Sequence, residues 1–249
     1  MNSELTYDGC FNLILGSMWS GKTSELVRRY RRHTIGGRNC LMIKYKNDTR
    51  YDDEMVVTHD KITVQALVCE YLYEADHVVE EYDVICIDEI QFYKDAHIFA
   101  DKWANMGKIV ESCGLNGTFN RTEFPIISKL LPLAENITFL KAVCKESGED
   151  AVYSNINMIV DKNVTEVIGG SEKYNASDRK TYFKGKKFYT FELIKDYMLI
   201  YAKSVNVHLD ENTLDDDLKK FIEKNDGMNL YDSMDLYDMG QKFVLHLGK

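Results

Sequence analysis

From Cys10 onward, apolar residues fall in short unbroken runs, separated by longer stretches where they recur at helical spacing. The runs predict buried strands near 10–15, 39–44, 84–88, 107–113 and 137–143. The spaced stretches predict helices over 22–34, 62–74, 95–106 and 125–131. This alternation belongs to an α/β fold, a mostly parallel sheet flanked by helices. In open sheets of that kind ligands bind beyond the carboxyl ends of the strands, so the loops there are where chemistry is sought.

Past Lys184 the pattern changes. Phe188, Phe191, Ile194, Met198 and Tyr201 recur at helical spacing, and Leu214, Leu218, Phe221 and Ile222 predict a second amphipathic helix behind an acidic stretch at 210–217. Leu230-Tyr231-Asp232-Ser233-Met234 is echoed by Leu236-Tyr237-Asp238-Met239. Residues 185–249 therefore read as a helical C-terminal extension, with a partly disordered tail as the other reading.

Composition narrows the classes. With 45% hydrophobic and 29% charged residues, the chain has an ordinary globular balance. A net charge of −9 argues against a protein that tracks a nucleic-acid backbone. Cys10, Cys40, Cys69, Cys86, Cys113 and Cys144 include no pair spaced as a metal knuckle or redox couple, and read as reduced, buried thiols. No leader peptide or membrane-length apolar run is evident, so a soluble, cytoplasmic protein without membrane or nucleic-acid partners is expected.

The chemistry concentrates at the strand ends. Gly16-Ser17-Met18-Trp19-Ser20-Gly21-Lys22-Thr23 fits the P-loop template and lies between a predicted strand and a predicted helix, the context the motif needs. There the backbone N–H groups and the helix dipole attract phosphate. Lys22 supplies a charge to the outer phosphates, and the Thr23 hydroxyl is placed to ligate Mg²⁺. Val84-Ile85-Cys86-Ile87-Asp88-Glu89 is an apolar strand ending in acid, the Walker B pattern, with Asp88 on the metal, partly through water. Glu89, next to it, is a candidate general base for an attacking hydroxyl or water. Asp48-Thr49-Arg50 leaves the second strand: Arg50 can steady a transferring phosphoryl group, and an Asp48–Arg50 surface ion pair would leave the same trace. Phe92, Phe119, Phe124 and Tyr174 either line a pocket for a flat base or fill core. Arg28, Arg29, Arg31, Arg32 and His33 read as a solvated helical face.

In this order the motifs resemble those of type II thymidine kinases. The resemblance rests on the P-loop and Ser24-Glu25-Leu26-Val27-Arg28-Arg29, Ile43-Lys44-Tyr45, Asp48-Thr49-Arg50-Tyr51, Thr58-His59-Asp60, Asp88-Glu89-Ile90-Gln91-Phe92, Leu115-Asn116-Gly117-Thr118-Phe119, and Val167-Ile168-Gly169-Gly170 before Lys173-Tyr174. It implies a P-loop, RecA-like fold and transfer of the γ-phosphate of ATP, with Mg²⁺, to the 5′-hydroxyl of thymidine. It further implies Glu89 as base, Arg50 by the phosphates together with Lys22, and an ATP site built from residues 16–23, Asp48, Thr49, Arg50, Asp88, Glu89, Ile90 and Gln91. The nucleoside site would use Met18, Phe92, Leu115, Thr118, Phe119, Phe124, Tyr174 and a lasso loop at 144–184 whose segment Thr165, Glu166, Val167, Ile168, Gly169 reads the base. Residues 1–143 would be the kinase domain. A homotetramer and feedback inhibition by dTTP are also implied.

Departures from that pattern qualify the expectation. Ser17 and Trp19 stand where the family usually has Pro and Phe, Ile90 where it has Gly, and Asn116 where it has Asp. The two Cys-x-x-Cys pairs that commonly hold zinc read Cys144-Lys145-Glu146-Ser147 and Asp178-Arg179-Lys180-Thr181. Hydroxyls are poor zinc ligands, so no structural zinc is expected, although such a site carries ~10–16 kcal/mol in small fingers. An Asp178–Lys145 pair is one candidate substitute. A nucleoside kinase of shifted or broader preference, a weakened homologue serving as a binding protein, and a RecA-like DNA ATPase remain the other readings.

Overall fold

The computed structural model of the chain describes residues 9–48, 55–57, 62–156, 174–184, 191–210, 213–224 and 236–248. Residues Met1–Tyr182 and Phe183–Lys249 form two compact units. In the first, β1 (Cys10–Gly16) leads through the P-loop into α1 (Lys22–Ile35), and β2 (Cys40–Tyr45) follows. Three short strands come next, β3 (Met55–Val57), β4 (Thr63–Gln65) and β5 (Leu67–Cys69), then β6 (Val84–Ile87), α2 (Ala96–Asn105), β7 (Ile109–Leu115), α3 (Pro125–Leu130) and β8 (Asn136–Leu140). The small strands β9 (Ala142–Val143), β10 (Asp150–Ala151), β11 (Tyr153–Ile156) and β12 (Tyr174–Ser177) precede α4 (Arg179–Phe183).

The main sheet has the order β5-β2-β6-β7-β1-β8, and every pairing in it is parallel. Successive strand residues point to opposite faces, which explains why both faces are apolar. Phe11, Leu13, Leu15, Ile85 and Ile87 pack one way, against Trp103 and Ala100 of α2 and Ile127 and Leu130 of α3. Ile14, Met42, Val84, Cys86 and Cys113 pack the other way, against Leu26 and Val27 of α1. The carboxyl ends of β1, β6 and β7 come together at one rim, which carries the P-loop, Asp88-Glu89 and Leu115.

Three expectations need correction. Residues 62–74 are not a helix: they form β4 and β5, then a 3₁₀ turn at Leu72–Ala75. The β-branched Thr63, Val64 and Val68 suit extended backbone, and β5 gains a partner by pairing Leu67, Val68 and Cys69 with Ile43, Lys44 and Tyr45. The Asp95 carboxylate accepts the backbone N–H groups of Leu72 and Tyr73, closing the turn. The strand read over 137–143 is divided: β8 completes the main sheet, while β9 turns away to pair with β10. Cys10 and Cys40 are only partly buried, unlike the other four thiols.

In the second unit, α5 (Phe191–Ser204), α6 (Leu214–Lys224) and α7 (Leu236–His246) share a core of Ile194, Met198, Leu218, Phe221, Met239 and Phe243. Phe188 and the 230–234 half of the echo lie outside the described residues. Among the described residues no helix is long and apolar enough to cross a membrane.

Candidate active site

The P-loop owes its shape to small residues at two positions. A Cβ on Gly16 would lie 2.4 Å from Ser20 Oγ and 2.5 Å from the Leu140 carbonyl oxygen, and Gly21 caps α1 with φ of 81°. Trp19 also takes a positive φ, 67°. Lys22 Nζ folds back onto the Ser17 carbonyl at 2.9 Å. Ser20 Oγ is buried and has no hydrogen-bond partner among the described residues. A buried orphan hydroxyl within the P-loop fits an oxygen of a bound phosphate chain.

Asp88 sits beside this loop. Its Oδ1 accepts from Thr23 Oγ1 at 3.2 Å, from the Glu89 N–H at 3.1 Å and from Cys113 Sγ at 2.9 Å. A hydroxyl and a carboxylate this close are hard oxygen donors of the kind Mg²⁺ prefers. Burial pushes the Cys113 thiol well above its ordinary range, Asp88 and Glu89 push it further, and Lys22 alone opposes them. That thiol stays protonated and donates to Asp88. It is a site residue that its place in the strand pattern concealed.

Glu89 follows with backbone in the left-handed region, φ 52°. Its Oε2 accepts from Gln91 Nε2 at 2.6 Å, and Gln91 Oε1 in turn accepts the Leu115 N–H at 3.1 Å. The carboxylate is thereby fixed to the end of β7. Glu89, not Ile90, takes the positive φ, and Ile90 enters a 3₁₀ turn with its side chain fully in the core. Asp48 is buried close by in sequence to β2, its N–H on the Tyr45 carbonyl.

Of the expected nucleoside residues, Met18, Phe119 and Tyr174 form one buried cluster with Leu115 and Trp19 packed on it. Phe92 stacks on Tyr45 with ring centroids 5.2 Å apart and meets Phe124 edge-on at 6.5 Å. Phe124 belongs to the main core. The Thr118 hydroxyl is used inside its own loop, 2.7 Å from Thr122 Oγ1 and accepting the N–H groups of Asn120 and Thr122. Thr49, Arg50, Thr165, Glu166, Val167, Ile168 and Gly169 lie outside the described residues.

The small strands sit directly on the P-loop. Ser17 Oγ donates to the Ala151 carbonyl at 3.0 Å, the Met18 N–H to Ser154 Oγ at 3.0 Å, and Trp19 Nε1 to the Tyr174 carbonyl at 3.2 Å. Asn116 Nδ2 reaches the Val152 carbonyl at 3.4 Å. Ser154 was not singled out in the sequence, because its partner is 136 residues away.

The former Cys-x-x-Cys positions also converge. Ser147 Oγ donates to Asp178 Oδ2 at 2.5 Å, the Thr181 N–H to Asp178 Oδ1 at 2.6 Å, and Cys144 Sγ lies 3.5 Å from Thr181 Oγ1. Asp178 is thus bound by Ser147 and Thr181, where the sequence offers Lys145 as one candidate partner. Burial raises the Cys144 thiol, but hydrogen bonds from Ser147, Thr181 and the backbone outweigh it and bring it down to about 6. One thiol, one carboxylate and two hydroxyls do not match a zinc donor set, and no group of three or more His, Cys, Asp or Glu side chains is poised for a metal among the described residues.

The arginines of α1 are not all a solvated face. Arg29 pairs with buried Glu111 at 2.8 Å and His33 Nε2 lies 3.3 Å from the same carboxylate, while Arg28 and Arg29 both hold Glu25.

The family model described as "Thymidine kinase" matches residues 9–182. This chain belongs to the thymidine kinase family. Its thymidine kinase relatives include that of rabbit fibroma virus, 43% identical over 177 residues, covering 71% of this chain and 98% of the relative. A thymidine kinase of Dictyostelium discoideum is 42% identical over 178 residues, covering 70% and 78%. The human cytosolic thymidine kinase is 44% identical over 176 residues, covering 71% and 74%. The thymidine kinase match ends where the first compact unit ends, at residue 182.

Proposed function

We propose that this chain transfers the γ-phosphoryl group of ATP to the 5′-hydroxyl of thymidine, giving dTMP and ADP. The observation that carries the proposal is the junction of P-loop and Walker B strand: Thr23 and Asp88 are hydrogen-bonded at 3.2 Å, with Glu89 the next residue and fixed by Gln91. Phosphates and acceptor hydroxyl would thus be gathered at one rim.

In this reading the P-loop N–H groups, Ser20 and Lys22 hold the phosphates, and Thr23 and Asp88 hold Mg²⁺. The ion, when bound, offsets phosphate charge. Glu89 accepts the proton of the 5′-hydroxyl as the O5′–Pγ bond forms and the bond from Pγ to the ADP oxygen breaks. Arg50 steadies the transferring group. The Met18, Phe119 and Tyr174 cluster, with Phe92 and Leu115, holds the base, and residues 165–169 read its polar edge. The domain division at 143 and 184, a homotetramer, inhibition by dTTP and a cytoplasmic location belong to the same proposal, the last supported by the cytosolic human relative.

The test is incubation with ATP, Mg²⁺ and each natural nucleoside in turn, reading the 5′-monophosphate formed. Thymidine should give the highest kcat/KM, and a higher value for another nucleoside would replace it as the substrate. Glu89→Gln should keep ATP binding and lose about 10²–10⁴-fold in kcat, the usual share of a general base.

A further inference from the structure

Three departures from the family pattern share a property that the sequence does not display. Serine for proline at 17, tryptophan for phenylalanine at 19 and asparagine for aspartate at 116 each add a side-chain donor the usual residue lacks. All three donors end on backbone carbonyls of one small region. Ser17 reaches Ala151, Trp19 reaches Tyr174 and Asn116 reaches Val152, the last being the longest. Ala151, Val152 and Tyr174 lie in or between β10, β11 and β12, the strands that flank residues 157–173.

The same region is closed at its far end by the Ser147–Asp178–Thr181 hydrogen bonds beside Cys144. Both oxygens of Asp178 are engaged there, and the Ser147 proton lies between the two side chains. Hydroxyls are poor zinc ligands, so hydrogen bonds among Ser147, Asp178 and Thr181 close this cluster where the family pattern has thiolates. Burial supports the near anchors as well: Ser17 is fully buried, and Trp19 packs against both the Met18 cluster and the Cys144 cluster.

We propose that Ser17, Trp19 and Asn116 are positioning residues that replace zinc in holding the lasso region, in concert with the Ser147–Asp178–Thr181 clasp. The phosphate loop and the nucleoside-covering region are then one mechanical piece. Loss of a donor on the phosphate loop should therefore appear in nucleoside binding. The kinetic half of this statement rests on the thymidine reading above; the structural half does not.

The test is amide hydrogen exchange on the full chain, without nucleoside, over 142–156 and 174–182, with and without EDTA. In the unaltered protein protection should be indifferent to EDTA, and metal analysis should find no stoichiometric zinc. Ser17→Ala with Trp19→Phe should speed exchange in these segments by about tenfold or more, as expected for two lost hydrogen bonds, one buried and one partly buried, while α2 stays protected. KM for thymidine should rise while KM for ATP changes less. Adding Ser147→Cys, Asp178→Cys and Thr181→Cys to that variant should bind one zinc per chain and restore protection, which EDTA should then abolish. Tightly held zinc in the unaltered protein, EDTA-sensitive protection there, unchanged exchange in the double variant, or equal loss throughout α2 would each overturn the proposal. Should the double variant prove insoluble, Trp19→Phe and Asn116→Asp singly give the same reading on a smaller scale. Because exchange needs no turnover, it stands even if thymidine proves not to be the substrate.

Discussion

Asp88 and Glu89 are neighbours with opposite surroundings. Both are buried, but Asp88 has one oxygen surrounded by three donors, while Glu89 sits on a backbone wound into the left-handed region. That conformation costs a side-chain-bearing residue about 1–2 kcal/mol and glycine little. Glu89→Ala and Glu89→Gly both remove the carboxylate and its bond to Gln91, so their difference isolates the backbone. The glycine variant should melt about 2–5 °C above the alanine variant, the reverse of the usual order. Glu25 gives a pH test. Hydrogen bonds from Arg28, and then Arg29, hold its carboxyl at about 2 against the opposing effect of burial. A depressed carboxyl adds stability above its ordinary value of 4.5 and loses it as pH falls through about 2. Glu25→Gln should lower Tm by about 1–3 °C at pH 7, since such surface pairs are weak, and the gap should narrow below pH about 4.5. The P-loop and Walker B residues were readable because each motif occupies consecutive positions. Cys113 was not, because its partner Asp88 is 25 residues away and meets it only after the sheet has assembled.

Elements were legible where one physical signal was strong. The runs at 10–15 and 84–88 became β1 and β6 because buried parallel strands need apolar residues on both faces. The 62–74 stretch misled because its apolar spacing is helical while its β-branched residues and the open edge of β2 favour strand. The short strands β10, β11 and β12 gave no periodic signal at all. Beneath the site, β7 and the 3₁₀ turn at Ile90–Phe92 approach through Gly114. A Cβ there would lie 2.6 Å from Gln91 Oε1 and 3.0 Å from Ile90 Cγ2. Gly114→Ala should displace Gln91, release Glu89 and lower kcat, at a stability cost of about 1–3 kcal/mol. Enzyme assay beside thermal melting reads both effects.

For the whole chain, the family match stops at residue 182, where the first compact unit ends, and the second unit has a buried cluster of its own. The first unit holds the P-loop, Asp88, Glu89 and the aromatic cluster with its own buried interior. A chain ending at residue 184 should therefore fold and keep kcat within about threefold, as an independent domain does. A collapse of both, read by melting and turnover, would show that the helical unit is required. Strand order carries a further consequence, for synthesis. β1 is made first, yet its two neighbours are β7 and β8, which end at Leu115 and Leu140. At ~5–20 residues per second, the ribosome needs on the order of ten seconds to deliver them. Until β7 emerges the apolar run from Phe11 to Leu15 has no lateral partner in the main sheet, and its other edge stays open until β8 follows, so the nascent chain must shelter its nucleotide strand in the meantime.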